Sequence, residues 1–193
     1  MLLPLNPSLL VTVARTTMRT FVRTVGGLLL AGSTALAVAQ SADYDSVSRM
    51  VRAGQLDQAQ ARADQYLSAN PKDPQMRFLK GVIQQQRGQT DEALTTFTQL
   101  TQDYPELPEP YNNLAVIHAA QNQFDKARVA LEMAVRTNPS YATAHENLGD
   151  VYARLAAQSY SRALQLDSGN ATAPAKLKAV NALLTPPAKK PAR

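Results

Sequence analysis

Cysteine is absent from all 193 residues. The chain therefore has no disulfide, no thiolate metal site, no cysteine nucleophile and no acylated cysteine of the kind that anchors a bacterial lipoprotein. Tryptophan is absent too, and histidine occurs only at His118 and His145. A zinc site needs three or four converging ligands, and two histidines fall short of that. No G-x-x-x-x-G-K-S/T, G-x-G-x-x-G or G-x-S-x-G is present, so phosphate-cradling loops and a nucleophile elbow are missing. No catalytic residue, cofactor or metal is expected, and the chain does not read as an enzyme. Aromatic residues make up 6% and do not interleave with basic ones, which excludes a base-stacking platform for nucleic acid.

A surplus of one charge is also missing from the body of the chain. The formal charge is +5, yet Arg15, Arg19 and Arg23 open the sequence and Lys189, Lys190 and Arg193 close it. Residues 40–184 hold 14 basic against 15 acidic residues, so the body is no polyanion binder.

One apolar run, of about fifteen residues, follows Arg23. Ala37-Val38-Ala39 places small residues before Gln40. Residues 1–39 thus read as a secretory signal cleaved after Ala39, and the run is short for a membrane span. No arginine pair is present, which favours the general secretory route. The expectation is a periplasmic mature chain from Gln40 with no integral span. An uncleaved 24–38 segment would instead tether it to the inner membrane. Met18 opens a more compact signal, M-R-T-F-V-R. The start is therefore either Met18 or Met1 with a long n-region.

The mature chain repeats every 34 residues. Pro71, Pro105 and Pro139 keep that spacing, as do Ala59, Ala93 and Ala127, Asp57, Asp91 and Asp125, and Gln55, Gln89 and Gln123. Gly54 and Gly88 form a further column, with Asn122 in the next place. Gly and Asn suit the left-handed conformation that ends a helix. Asp three residues on meets the dipole of the next helix. Ala lets two helices approach, and Pro ends the second helix by restricting the residue before it. Each period predicts a helix hairpin. Within it Leu114, Ala115, Ile117 and His118 share one side of a first helix, and Phe124, Ala127, Leu131, Ala134 and Val135 recur along a second.

This pattern resembles the tetratricopeptide repeat family. The residues that carry the resemblance are Tyr111, Leu114, Ala115, His118, Ala127, Leu131 and Pro139; Gly81, Ala93, Phe97 and Pro105; and His145-Glu146-Asn147-Leu148-Gly149-Asp150-Val151-Tyr152. It covers about 43–168 and implies an all-α, right-handed α-solenoid of helix hairpins with a C-terminal capping helix. The domain 40–184 then holds repeats at about 43–71, 74–105 and 108–139, a shortened repeat at 141–168 and a cap at 172–184. In the shortened repeat Tyr152 to Ala156 spans four residues where nine are usual. The stripe Leu148, Tyr152, Leu155, Ser159, Ala163 runs through the gap, so one helix over about 141–167 is predicted, a tighter turn near Ala156-Ala157 being the alternative. Leu177, Val180 and Leu184 should cover the end of the stack. Residues 185–193, T-P-P-A-K-K-P-A-R, read as a disordered basic tail. His118 and His145 fall where the repeat packs an aromatic and are expected in the core.

What the resemblance implies for function is a groove lined by the first helices. Tyr44, Ser48 and Arg52, then Gln75, Phe78, Val82 and Gln85, then Glu109, Asn112, Asn113, Val116 and Ala119, and last Glu146, Asn147 and Asp150 are expected to face it. Asn and Gln hold an extended backbone without reading its sequence. Phe78 and Val82 are expected to form an apolar pocket. Glu109, Glu146 and Asp150 favour a basic partner segment and stand where the family's carboxylate clamps want cations. The expected function is a non-catalytic scaffold or adaptor of the bacterial envelope that binds a protein or peptide segment. The alternative is an inner-membrane-tethered accessory subunit of an assembly or secretion complex.

Overall fold

The computed structural model describes residues 33–185. Most of the expected signal segment and the tail from 186 lie outside the described residues. The described residues fall into two compact units that meet in sequence at Pro105–Glu106.

The first unit holds α1 (Ser33–Arg52), α2 (Leu56–Ala69), α3 (Pro74–Gln86) and α4 (Thr90–Asp103). The second holds α5 (Pro108–Ala120), α6 (Phe124–Thr137), α7 (Ala142–Leu166) and α8 (Ala173–Leu183). No strand occurs among the described residues.

The columns of the sequence explain the hairpins. Gly54, Gly88 and Asn122 have φ of 72°, 77° and 59°. Around each, two backbone bonds close the preceding helix. Gly54 N–H donates to the Val51 carbonyl (3.1 Å) and Gln55 N–H to that of Met50 (2.9 Å). Gly88 and Gln89 repeat this on Gln85 and Gln84, and Asn122 and Gln123 on Ala119 and His118. This is the Schellman closure, and it needs a left-handed residue at its centre. It also explains the Gln column. The residue that finishes one helix starts the next, since the Gln55, Gln89 and Gln123 carbonyls accept from Ala59, Ala93 and Ala127. Asp57, Asp91 and Asp125 lie in first turns. Ala59, Ala93 and Ala127 are fully buried. α2, α4 and α6 each end two residues before Pro71, Pro105 or Pro139.

Phe97 is the largest fully buried side chain. Its ring fills the space that Gly81 leaves open, where a Cβ would stand 2.6 Å from Phe97 Cε1. Ala115 and Leu131 make the corresponding pair in the second unit, both buried. Across α3 and α4, Thr96 Oγ1 donates to Gln84 Oε1 (2.8 Å) and Arg77 pairs with Asp103 (2.7 Å). The Tyr104 hydroxyl donates to the Lys72 carbonyl.

In the shortened repeat one continuous helix, α7, runs straight through the gap, and α8 packs on it. The buried face of α7 differs from the predicted stripe. Ala144 and Val151 are buried, while Tyr152 is 48% exposed with its hydroxyl on Glu132 Oε1. His145 is another correction. It is exposed, its Nε2 bound to the Pro139 carbonyl (3.0 Å). His118 is half-buried and bonds Gln123 Oε1 (3.0 Å). Burial holds its pKa below the usual value and outweighs that hydrogen bond.

Tyr141, at the start of α7, is buried. Burial first, and the Glu109 carboxylate second, hold its phenol far above the ordinary value. The native state thus keeps a proton that the unfolded chain releases above about pH 10. Stability from this group is present below pH 10 and falls as pH rises beyond it, by at most about 1.4 kcal/mol per pH unit. Urea midpoints at pH 9 and 11 should fall less for Tyr141→Phe than for wild type. Equal falls would show that Tyr141 does not titrate with folding.

Candidate peptide-binding faces

The residues expected in a groove fall on both units. In the first unit, Tyr44 is occupied. Its hydroxyl donates to Asp73 Oδ2 (2.5 Å) and lies 3.1 Å from the Tyr66 hydroxyl. Tyr66 also reaches Asp73 Oδ2 (3.3 Å), and Asp73 Oδ1 caps α3 by accepting from Met76 N–H (2.8 Å). This triad ties α1, α2 and the start of α3 together. Burial first, then the bond to Asp73, pushes the Tyr44 phenol far up. Tyr66 and Asp73 were not among the expected site residues, although Asp73 before Pro74 is a readable helix start.

Val82 is 3% exposed and belongs to the core, so it lines no open pocket. Phe78 is half-buried, its ring 5.7 Å from that of Phe97. Its side chain therefore serves the α3–α4 hairpin as well as its outer face. Arg52 and Ser48 lie on the outside of α1, exposed and half-buried respectively. Gln75 and Gln85 are half-buried, and the Oε1 of each is buried without a hydrogen-bond partner. Gln75, Phe78 and Gln85 lie within about 80° of one another around α3. That helix thus presents two unsatisfied acceptors, about 15 Å apart along its axis, beside an aromatic ring.

In the second unit, Asn112 and Asn113 are each 2% exposed. They are buried, not solvated groove residues. Asn112 Oδ1 accepts from Asn147 Nδ2 (2.8 Å), which ties α5 to α7. Asn113 Nδ2 donates to the Glu109 carbonyl (2.9 Å), and its Oδ1 is buried without a partner. Glu109, Val116, Ala119 and Asn147 are half-buried, whereas Glu146 and Asp150 are exposed on α7. Of the residues expected in the groove on this unit, the exposed ones are therefore the acidic Glu146 and Asp150. No group of His, Asp and Glu suited to a metal ion occurs among the described residues.

Two family profiles described as tetratricopeptide repeat match the chain, one over residues 44–109 and one over 84–148. The chain belongs to the tetratricopeptide repeat family. No curated protein sequence matches it. Its fold is similar to that of TTC0263, a thermophilic tetratricopeptide protein of Thermus thermophilus (TM-score 0.57, 22% identity, 75% of this chain and 82% of that one). It is also similar to the first tetratricopeptide domain of Spaghetti (RPAP3) bound to the HSP90 peptide SRMEEVD (TM-score 0.55, 15% identity, 67% and 99%). MamA is a third similar structure (TM-score 0.52, 19% identity, 70% and 82%). These likenesses concern the fold, which is that of protein–protein interaction modules and in general non-catalytic.

Proposed function

We propose that the protein is a non-catalytic scaffold or adaptor that holds an extended segment of a protein partner on its first-helix faces, in the bacterial envelope. The observation that carries this reading is the pair of unsatisfied acceptors on α3. A buried carbonyl oxygen without a donor is unfavourable by about 1–3 kcal/mol. The half-buried side chains of Gln75 and Gln85 can turn outward, and the N–H groups of an extended peptide running along α3 would then satisfy both oxygens. Their separation of about 15 Å matches four to five extended residues at about 3.3 Å each. The Phe78 ring between them offers an apolar contact. The Spaghetti domain, similar in fold, is bound to a peptide, which supports a peptide segment as the partner here. Glu146 and Asp150 on the second unit favour a partner segment that carries Lys or Arg.

Export by the general secretory route rests on the sequence before Gln40. The described helices include none long and apolar enough to cross a membrane. Sequencing the amino terminus of the protein recovered from cells tests this. A start at Gln40 fits a periplasmic adaptor. A retained 24–38 segment in the membrane fraction would replace it by a tethered subunit.

The binding face is tested by Gln75→Leu with Gln85→Leu, which removes the orphan acceptors while keeping side-chain bulk. Affinity capture from an envelope extract, followed by calorimetry with the captured partner, should show binding weakened about tenfold or more at an unchanged or higher melting temperature. Unchanged affinity would move the site off α3.

A further inference from the structure

We infer that two copies of this chain exchange the arm formed by the second half of α7 and α8, and that the Gly149 face of each copy seats Tyr160 of the other. Gly81 makes room for Phe97, which the second helix of its hairpin brings back across it. Gly149 stands two periods after Gly81. A Cβ built at Gly149 meets nothing within 4 Å. Gly149 is exposed, and the space beside it is open.

The side chain that belongs in it is also present. The shortened repeat lacks five residues of the inter-helix turn, so Ala156 takes the place of Ala93 and Tyr160 that of Phe97. In this chain, however, Gly149 and Tyr160 stand on one continuous helix. They are separated by about 16 Å along its axis, and Tyr160 cannot fold back onto Gly149. A second copy removes the obstacle. Gly149, Ala153, Ala156 and Tyr160 lie within about 60° around α7. If two such helices cross antiparallel about a two-fold axis near Arg154–Leu155, Gly149 of each meets Tyr160 of the other. Ala153 of each then meets Ala156 of the other. The pairing is reciprocal, as an isologous contact requires, and the small residues at the crossing allow close approach.

Charge and exposure agree. Glu146 and Asp150, both exposed, flank Gly149. Lys176 Nζ lies 5.8 Å from the Tyr160 ring centroid, so the exchanged arm carries a cation to that acidic rim. Among the described residues, the exposed large hydrophobic side chains are Val129, Tyr152, Leu166 and Leu183, and three of these four lie on α7 and α8. A missing turn between two helices that would otherwise pack on each other is the usual setting for exchange between protomers.

The test is the solution mass of the purified full-length protein by light scattering over a wide concentration range. It is repeated for Gly149→Leu and for a variant with Asn-Gln-Phe-Asp-Lys, the segment 122–126 of the preceding repeat, inserted after Leu155. The leucine side chain enters open space in the single chain and replaces a helical glycine, so the fold is kept. In the pair it occupies the seat of Tyr160 from the second copy. The insertion restores the turn and lets Tyr160 reach Gly149 of its own chain. The expected result is a dimer for wild type, roughly 100-fold weaker association for Gly149→Leu with unchanged helicity and melting temperature, and a monomer for the insertion. A monomeric wild type overturns the inference. So does a dimer that both variants leave intact, which would place self-association on another face.

Discussion

Phe97→Ala is expected to destabilise the first unit by about 3–5 kcal/mol, the scale of removing a fully buried aromatic side chain. The size follows from where Phe97 sits. It is 0% exposed, it packs against the Phe78 ring, and it presses into the gap left by Gly81. The same contact predicts a conflict from the other side. Gly81→Ala sets a methyl 2.6 Å from a ring carbon, so it should cost about 1–3 kcal/mol despite the better helix propensity of alanine. Combined with Phe97→Leu, the Gly81→Ala penalty should shrink or reverse, because the shorter side chain clears the methyl. Chemical denaturation of the four proteins in this cycle gives a coupling of about 1–2 kcal/mol if the contact is as described. Additive changes would show that Gly81 and Phe97 do not share that space.

Gly88→Val should cost about 1–3 kcal/mol, because a β-branched residue is forced to φ near 77°. Gly88→Asn should cost much less. The chain itself makes this comparison, since Asn122 holds the equivalent place in the next hairpin at φ 59° with the same pair of backbone bonds. Thermal melts of the two variants separate the explanations. A Val variant as stable as the Asn variant would mean that the left-handed turn is not what joins α3 to α4.

These two residues also show what kind of information the sequence exposes. The columns at Gly54, Ala59 and Pro71 and their 34-residue echoes are backbone requirements: a left-handed closure, a close approach, a stop. Each is met by one or two residue types, so it shows in the sequence, and the helices begin and end where those columns place them. The faces were harder to read. Val82 and Asn112 sit at first-helix positions that the family resemblance assigns to the groove, yet they are 3% and 2% exposed. Whether such a position is open depends on the side chains of neighbouring helices, which spacing within one helix does not report. The bond between Asn147 and Asn112 joins two first helices one repeat apart, and no local pattern announces it. His145 fails in the opposite direction. It occupies the usual aromatic place, but continuous α7 brings no second helix back to cover it. The unpaired oxygens of Gln75 and Gln85 have no sequence signal either, because a glutamine with a partner and one without are the same letter.

The locality of the contacts has a consequence for how the chain becomes ordered. The far-reaching side-chain ties described above link Asn147 to Asn112, Tyr104 to Lys72 and Tyr44 to Asp73, residues 35, 32 and 29 apart. None of these loops is much longer than one period. Closing a loop of that length costs little more entropy than closing one of half the length, since the penalty grows with the logarithm of loop size. Ordering can therefore start at any hairpin and spread to its neighbour, on the microsecond-to-millisecond scale of helical proteins with short-range contacts. For a chain exported as proposed above, which would emerge from a translocation pore end first, each hairpin can fold as it appears, without waiting for the last residue.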